Sequence, residues 1–184
     1  NDTNIPLTFI YQWQLSTNNI DFNNITDATE NTFTIPSDQS YVDKYIRLTA
    51  VATDSRGGTT SLKSSSQQIA NIEDEAIGTL LINGIVHEGA TLIADTSNIS
   101  DVDGSLTFTY QWQLSNDSSS FDTNSNISGA TNSTFTIPSD QSYVDKFIKL
   151  TVVSTDARGG TTTFETSPQQ VSNIEDEAIG TLLI

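Results

Sequence analysis

An internal repeat constrains this chain more than any other feature. Residues 31–60 read NTFTIPSDQSYVDKYIRLTAVATDSRGGTT, residues 133–162 read STFTIPSDQSYVDKFIKLTVVSTDARGGTT, and the two are identical at 24 of 30 positions with an offset of 102. The run NIEDEAIGTLLI at 71–82 returns unchanged at 173–184 with the same offset. YQWQLS at 11–16 returns at 110–115 with an offset of 99, so the second copy carries three extra residues between Phe121 and Ile127. An insertion tolerated there marks a surface loop. Copies this similar must fold as the same unit. The phasing divides the chain into 1–72, the C-terminal part of a first repeat without its first strands; 73–174, a complete repeat; and 175–184, a linker with the first strand of a third. The natural chain is expected to continue on both sides, and the first copy to be an incomplete sandwich.

The complete copy reads as seven or eight short strands. Residues 107–115 alternate, with Phe108, Tyr110, Trp112 and Leu114 on one face and Thr109, Gln111 and Gln113 on the other. A period of two over that length predicts a half-buried antiparallel strand. Residues 147–155 alternate likewise, with Ile148, Leu150 and Val152 inward and Lys149 and Thr151 outward. Shorter strands are predicted at 79–82, 90–94, 120–123, 134–137, 161–166 and 170–172, with turns at Asn83-Gly84 and Arg158-Gly159-Gly160. A repeat of about a hundred residues, seven strands and one Trp on the third strand is the immunoglobulin pattern. The expected fold is therefore all-β: tandem immunoglobulin-like antiparallel β-sandwiches with a repeat of about 102 residues. Tyr143, just before the sixth strand, reads either as a corner hydrogen-bonder or as a half-exposed loop residue.

Composition narrows the function. The chain has no cysteine and no methionine. It therefore has no disulfide staple, no thiol nucleophile and no Cys-ligated zinc. Its net charge is -16, from 23 acidic and 7 basic residues. Such a surface repels nucleic acid and anionic headgroups and attracts divalent cations. No run approaches the roughly 18 apolar residues of a membrane span, so neither nucleic acid nor direct membrane insertion is expected. His87 is the only histidine, and one histidine assembles neither a catalytic triad nor a His-based metal centre. It is expected in an exposed loop, and no enzyme activity is expected. The sequons at Asn24, Asn98, Asn116, Asn126 and Asn132 follow from a chain rich in Asn, Ser and Thr, and matter only in a glycosylating host.

The order of elements is distinctive. The linker NIEDEAIGTLLI precedes the loop ISDVDGSL at 99–106, then TYQWQ at 109–113, then SGATNSTFTIPSDQSYVDKFIKLTVVSTDARGG and the linker again. This resembles the Ig-like or cadherin-like repeats of giant bacterial surface adhesins, including the extender regions of RTX-type adhesins, over essentially the whole chain. The resemblance implies calcium-stiffened sandwiches that hold a terminal binding domain away from an extracellular cell surface. The first copy departs from the pattern, with Asn4-Ile5-Pro6 where the second has Asp103-Gly104-Ser105.

The acids are clustered. Asn71, Glu73, Asp74 and Glu75 lie in the linker, Asp101 and Asp103 in the loop between the second and third strands, and Asp156 in the loop after the sixth. Asp2 and Asp54 are the first-copy equivalents, and Asp176 and Glu177 belong to the next linker. In an immunoglobulin sandwich those two loops share the pole at which the chain arrives. Carboxylates gathered there repel unless a cation lies among them. Hard oxygen ligands suit Ca²⁺, which extracellular modules bind at roughly 10⁻⁴–10⁻³ M. The bland alternative is a set of solvated turn residues. An EF-hand starting at Asp101 fails because Trp112 holds its twelfth position, and Gly159-Gly160 does not continue as a calcium-binding nonapeptide.

Three functions remain open: a structural spacer whose partners are neighbouring repeats of its own chain; a filament or surface-layer unit packing against identical chains; and a glycan- or protein-binding module using the loop at 121–131.

Overall fold

The computed structural model describes residues 6–175. The chain divides into two compact units, Asn1–Ile72 and Glu73–Ile184. The first contains β1 (Thr8–Ser16), β2 (Asn23–Asn24), β3 (Tyr45–Thr53), β4 (Thr59–Lys63) and β5 (Gln67–Gln68). They form one antiparallel sheet in the order β2-β1-β3-β4, with β5 also on β3.

The second unit contains β6 (Leu81–Asn83), β7 (Thr91–Asp95), β8 (Thr107–Ser115), β9 (Thr134–Thr136), β10 (Phe147–Thr155), β11 (Thr161–Glu165) and β12 (Gln169–Gln170). One sheet is built on β10, which pairs with β8 along one edge and with β11 and β12 along the other. The other sheet runs β6-β7-β9. All pairings are antiparallel. The two sheets enclose one apolar core, so this unit is an immunoglobulin-like β-sandwich.

Alternation in β10 is what builds that core. Ile148, Leu150, Val152 and Ser154 are buried, and the residues between them are half-buried. Leu150 stands opposite Trp112 in the β8–β10 register. Leu92 and Ile137 close on them from the other sheet, and all these apolar side chains are fully buried. The Trp112 indole N–H donates to the carbonyl of Asn132 at 3.0 Å, so its one polar atom is satisfied. Phe135 stacks on Trp112 and Tyr143 on Phe135, with centroids 5.7 and 6.1 Å apart. Tyr143 thus serves as the outer member of an aromatic row, and loss of hydration followed by the charge of Asp140 raises its phenol pKa. A disulfide contributes about 2–4 kcal/mol. Two buried apolar side chains at about 1.5–3 kcal/mol each match it, which is how a cysteine-free sandwich of this size holds together.

Three expectations are corrected. Gln113 is buried, not solvent-facing. The inserted loop folds over it, and its amide donates to the Asp122 carbonyl at 3.2 Å and to Asn126 Oδ1 at 3.0 Å. Residues 120–123 form no strand. Asp122 caps a short 3-10 helix, Thr123–Ser125, by accepting the backbone N–H groups of Asn124 and Ser125, a local bond that competes with strand pairing. His87 is half-buried instead of exposed, held in a parallel bridge to Ser172.

The two units diverge at matching positions. Ile137 is fully buried, whereas Ile35, its repeat equivalent, is 43% exposed. Leu150 is fully buried and Leu48 only half-buried. Leu150→Ala is predicted to lower the unfolding free energy of the second unit by about 2–5 kcal/mol, and Leu48→Ala to cost the first unit much less. Urea unfolding read through amide exchange in β10 and β3 checks this, and equal losses would contradict it.

Candidate metal centre

Glu73 opens the second unit, and the backbone after it is fastened to that unit's own loops. The Ala76 N–H donates to Thr162 Oγ1 at 2.9 Å. Ile77 and Ser100 exchange two backbone hydrogen bonds of 2.9 Å. Gly78 follows with φ of 135°, and a Cβ there would collide with the Asn98 carbonyl. Only glycine lets the chain lie this close to the loop.

Each acidic loop aims its carboxylate by an internal turn. Asp101 Oδ1 accepts the Asp103 N–H at 2.7 Å. Asp156 Oδ1 accepts the N–H groups of Arg158 at 2.5 Å and Gly160 at 3.2 Å. In the first unit Asp54 repeats this turn, with Oδ1 accepting from Arg56 and Gly58, both at 2.8 Å. In Asp156 this leaves Oδ2 outside the turn's own hydrogen bonds.

The result is a three-carboxylate group. Glu73, Asp103 and Asp156 each offer one oxygen, and these lie within 4.8 Å of one another. Asp103 and Asp156 are buried, each 7% exposed. Their Oδ1 and Oδ2 atoms, respectively, have no hydrogen-bond partner. Buried polar atoms are nearly always bonded, so two orphaned carboxylate oxygens facing a third carboxylate fit a cation-binding position. The Arg158 Nε lies 3.9 Å from Asp103 Oδ1, beyond hydrogen-bond length. Gly160 makes the space: a Cβ on it would overlap Glu73 Oε1 and Asp156 Oδ2.

The protonation equilibria reflect this crowding. Glu73 is exposed as a residue, yet its carboxyl lies over Gly160. Loss of hydration, then the close approach of the Asp156 carboxyl, then the charges of Asp156, Asp103 and Asp101 raise its pKa. Desolvation works against ionisation of Asp156 too. The Arg158 N–H, the Glu73 carboxyl and the N–H groups of Gly160 and Gly159 outweigh it, and its pKa is lowered.

The other candidates are placed differently. Asp74 gives its backbone N–H to Asp103 Oδ2 at 3.4 Å, and its side chain is exposed. Glu75 is exposed. Asp101 is half-buried, outside the three-carboxylate group but near enough for its charge to act on Glu73. Asn71 and Asp54 belong to the first unit. Asp2, Asp176 and Glu177 lie outside the described residues. Sequence reasoning missed Arg158, Gly160 and Thr162, which form the floor of the site. The segment RGGTT, present unchanged in both copies, carried that signal but read only as a hairpin turn.

No protein-family model matches the chain, and no curated protein matches it. Among solved structures, the chain is similar to one from a study of host cell surface retention of a 1.5-MDa bacterial ice-binding adhesin. The identity is 17% and the TM-score 0.38, and the match covers 94% of this chain and 55% of that one. This chain therefore spans about half the length of that structure, and a likeness of this degree assigns neither family nor function.

In chelator, a raised Glu73 pKa means that the folded state holds a proton the unfolded state has released. Stability conferred by that proton is lost as pH rises through the raised pKa. Asp156 acts oppositely, and its contribution is lost as pH falls through its lowered pKa. Glu73→Gln is predicted to remove the first slope and to raise the melting temperature of the second unit at neutral pH. Thermal unfolding from about pH 4 to 8 reads it, and an unchanged slope would contradict the assignment.

Proposed function

We propose that this chain is part of an array of structural spacer repeats on an extracellular bacterial surface protein, with Ca²⁺ stiffening the point where each linker enters its repeat. Glu73, Asp103 and Asp156 would hold the ion, and its charge would offset their mutual repulsion. The single observation that carries the reading is the pair of buried, unpartnered oxygens on Asp103 and Asp156 facing Glu73. Oxygen-only ligands favour Ca²⁺ over zinc or copper. A bound ion would tie three chain-distant segments together, so the linker would move with the sandwich it enters. Each sandwich, with strands about ten residues long, would add roughly 35–40 Å of reach. The role is structural and not enzymatic: Glu73 and Asp156 return with the repeat as Glu175 and Asp54, although Asn4 stands in the first copy where Asp103 stands here, and the acids are tied to the linker.

A second reading has its own support. Leu81 and Ile93 are exposed on β6 and β7, and Ile85 is exposed between them. Scattered apolar residues are common on surfaces, but these three suit lateral packing between identical chains in a filament or layer. Concentration-dependent fibres or sheets in the electron microscope would favour it over the spacer.

Calcium is predicted to bind the second unit with a dissociation constant of roughly 10⁻⁴–10⁻³ M. At tenfold excess over that constant it should stabilise the unit by about 1.4 kcal/mol. Asp103→Asn combined with Asp156→Asn should abolish binding while leaving the core amides of β10 protected. Isothermal titration and small-angle scattering with and without chelator check both parts. Undiminished binding by the double variant, or a maximum dimension indifferent to calcium, would overturn the proposal.

A further inference from the structure

The acidic cluster does not use Glu88, a buried carboxylate that holds the departing end of the same repeat. Glu88 is 6% exposed. Its Oε1 accepts the backbone N–H of Ile174 at 2.6 Å, and its Oε2 accepts the side-chain amide of Gln141. Around it the chain after β12 is pinned. The Ser172 N–H and hydroxyl both donate to the Val86 carbonyl, at 3.0 and 3.1 Å, and the Glu88 N–H donates to the Ser172 carbonyl at 3.3 Å. Gln141 reaches Glu88 from a left-handed backbone with φ of 62°, a conformation that non-glycine residues adopt only under local constraint. Its repeat equivalent, Gln39, has φ of 63°, and its Oε1 is buried without a partner.

The repeat gives this geometry its meaning. Ile174 directly precedes Glu175, and Glu175 is the equivalent of Glu73 one repeat on. We propose that Glu88 is a positioning residue: it fixes the departing linker one residue before the acidic side chain that the next repeat uses for its cation. The linker is then held from both sides. The repeat it leaves takes the N–H of its Ile through Glu88. The repeat it enters takes the residues from its Glu onward, as Glu73, Asp74, Ala76 and Ile77 are taken here. No residue between the two grips is left without a hold. Part of the linker's stiffness is thereby independent of metal. The inference rests on the proposed reading that linkers join successive repeats and carry cation ligands, but the grip contains no ion and is testable without one.

Amide hydrogen exchange in the full chain, measured by NMR in chelator, isolates it. Glu88→Ala should raise the exchange rate of Ile174 by about 10- to 100-fold, the range expected for losing a hydrogen bond to a charged acceptor, while the Leu150 and Val152 amides stay protected. Glu88→Gln, which keeps an acceptor oxygen for Ile174, should restore most of the protection. Should Glu88→Ala fail to fold, Gln141→Ala removes only the second partner and should raise Ile174 exchange by a smaller factor. Wild-type exchange at Ile174 in Glu88→Ala, failure of Glu88→Gln to rescue, or wild-type exchange in Gln141→Ala would overturn the proposal. Calcium should leave Ile174 exchange unchanged in the wild-type chain, and a calcium-dependent change would overturn the metal independence of the grip. Loss of calcium binding at Glu73, by contrast, would sink only the cation reading.

Discussion

Two carboxylate oxygens, one on Asp103 and one on Asp156, are withdrawn from water at the point where the chain enters the complete repeat, and neither has a hydrogen bond. Their position is not an accident of loop flexibility. Asp156 has its other oxygen fixed by the N–H groups of its own turn, and Asp103 has its backbone fixed by Asp101. The loops satisfy their backbone donors locally, and that is what leaves carboxylate oxygens over for a third party. Glu73 brings a further carboxylate into the same space, where loss of hydration first, and then its neighbours Asp156, Asp103 and Asp101, raise its pKa. Such an arrangement is costly unless a cation or proton completes it.

The linker is also bonded directly to the repeat it precedes. Glu73 through Gly78 is bonded to the loops at 98–103 and 156–162 by backbone, side-chain and close-packing contacts. An apparently featureless acidic linker is thus a structural part of the following sandwich. Its Glu73 carboxyl faces the loops, Asp74 and Glu75 face solvent, and its small residues, Ala76 and Gly78, allow close approach. Glu88 performs the reciprocal task at the other end, with a single buried carboxylate accepting a backbone N–H from the departing chain. Both devices rely on buried carboxylates, in a chain of net charge -16.

Most of the sandwich was legible because β8 alternates apolar and polar residues in sequence and β10 alternates in burial over nine residues. What escaped the sequence depended on partners. Thr134–Thr136 forms β9 against β7, whereas the identical residues 32–34 form no strand, because the first unit has no counterpart of β7 among the described residues. Strand formation there is a property of the pair and not of the segment. Gln113 looked solvent-facing because alternation predicts a face but not the loop that later covers it. Of the site, the acids were visible as clusters, yet which oxygens meet depended on an empty position at Gly160 and on turns that only backbone hydrogen bonds reveal. Glu88 gave no signal at all, since its partner lies 86 residues away.

The claim that a divalent ion completes the group at Glu73 is tested most directly by a crystal structure of the chain grown in calcium. The account predicts density for one ion at about 2.3–2.6 Å from Asp103 Oδ1, Asp156 Oδ2 and a Glu73 oxygen. A structure at saturating calcium in which those oxygens bind only water or protein groups would contradict it.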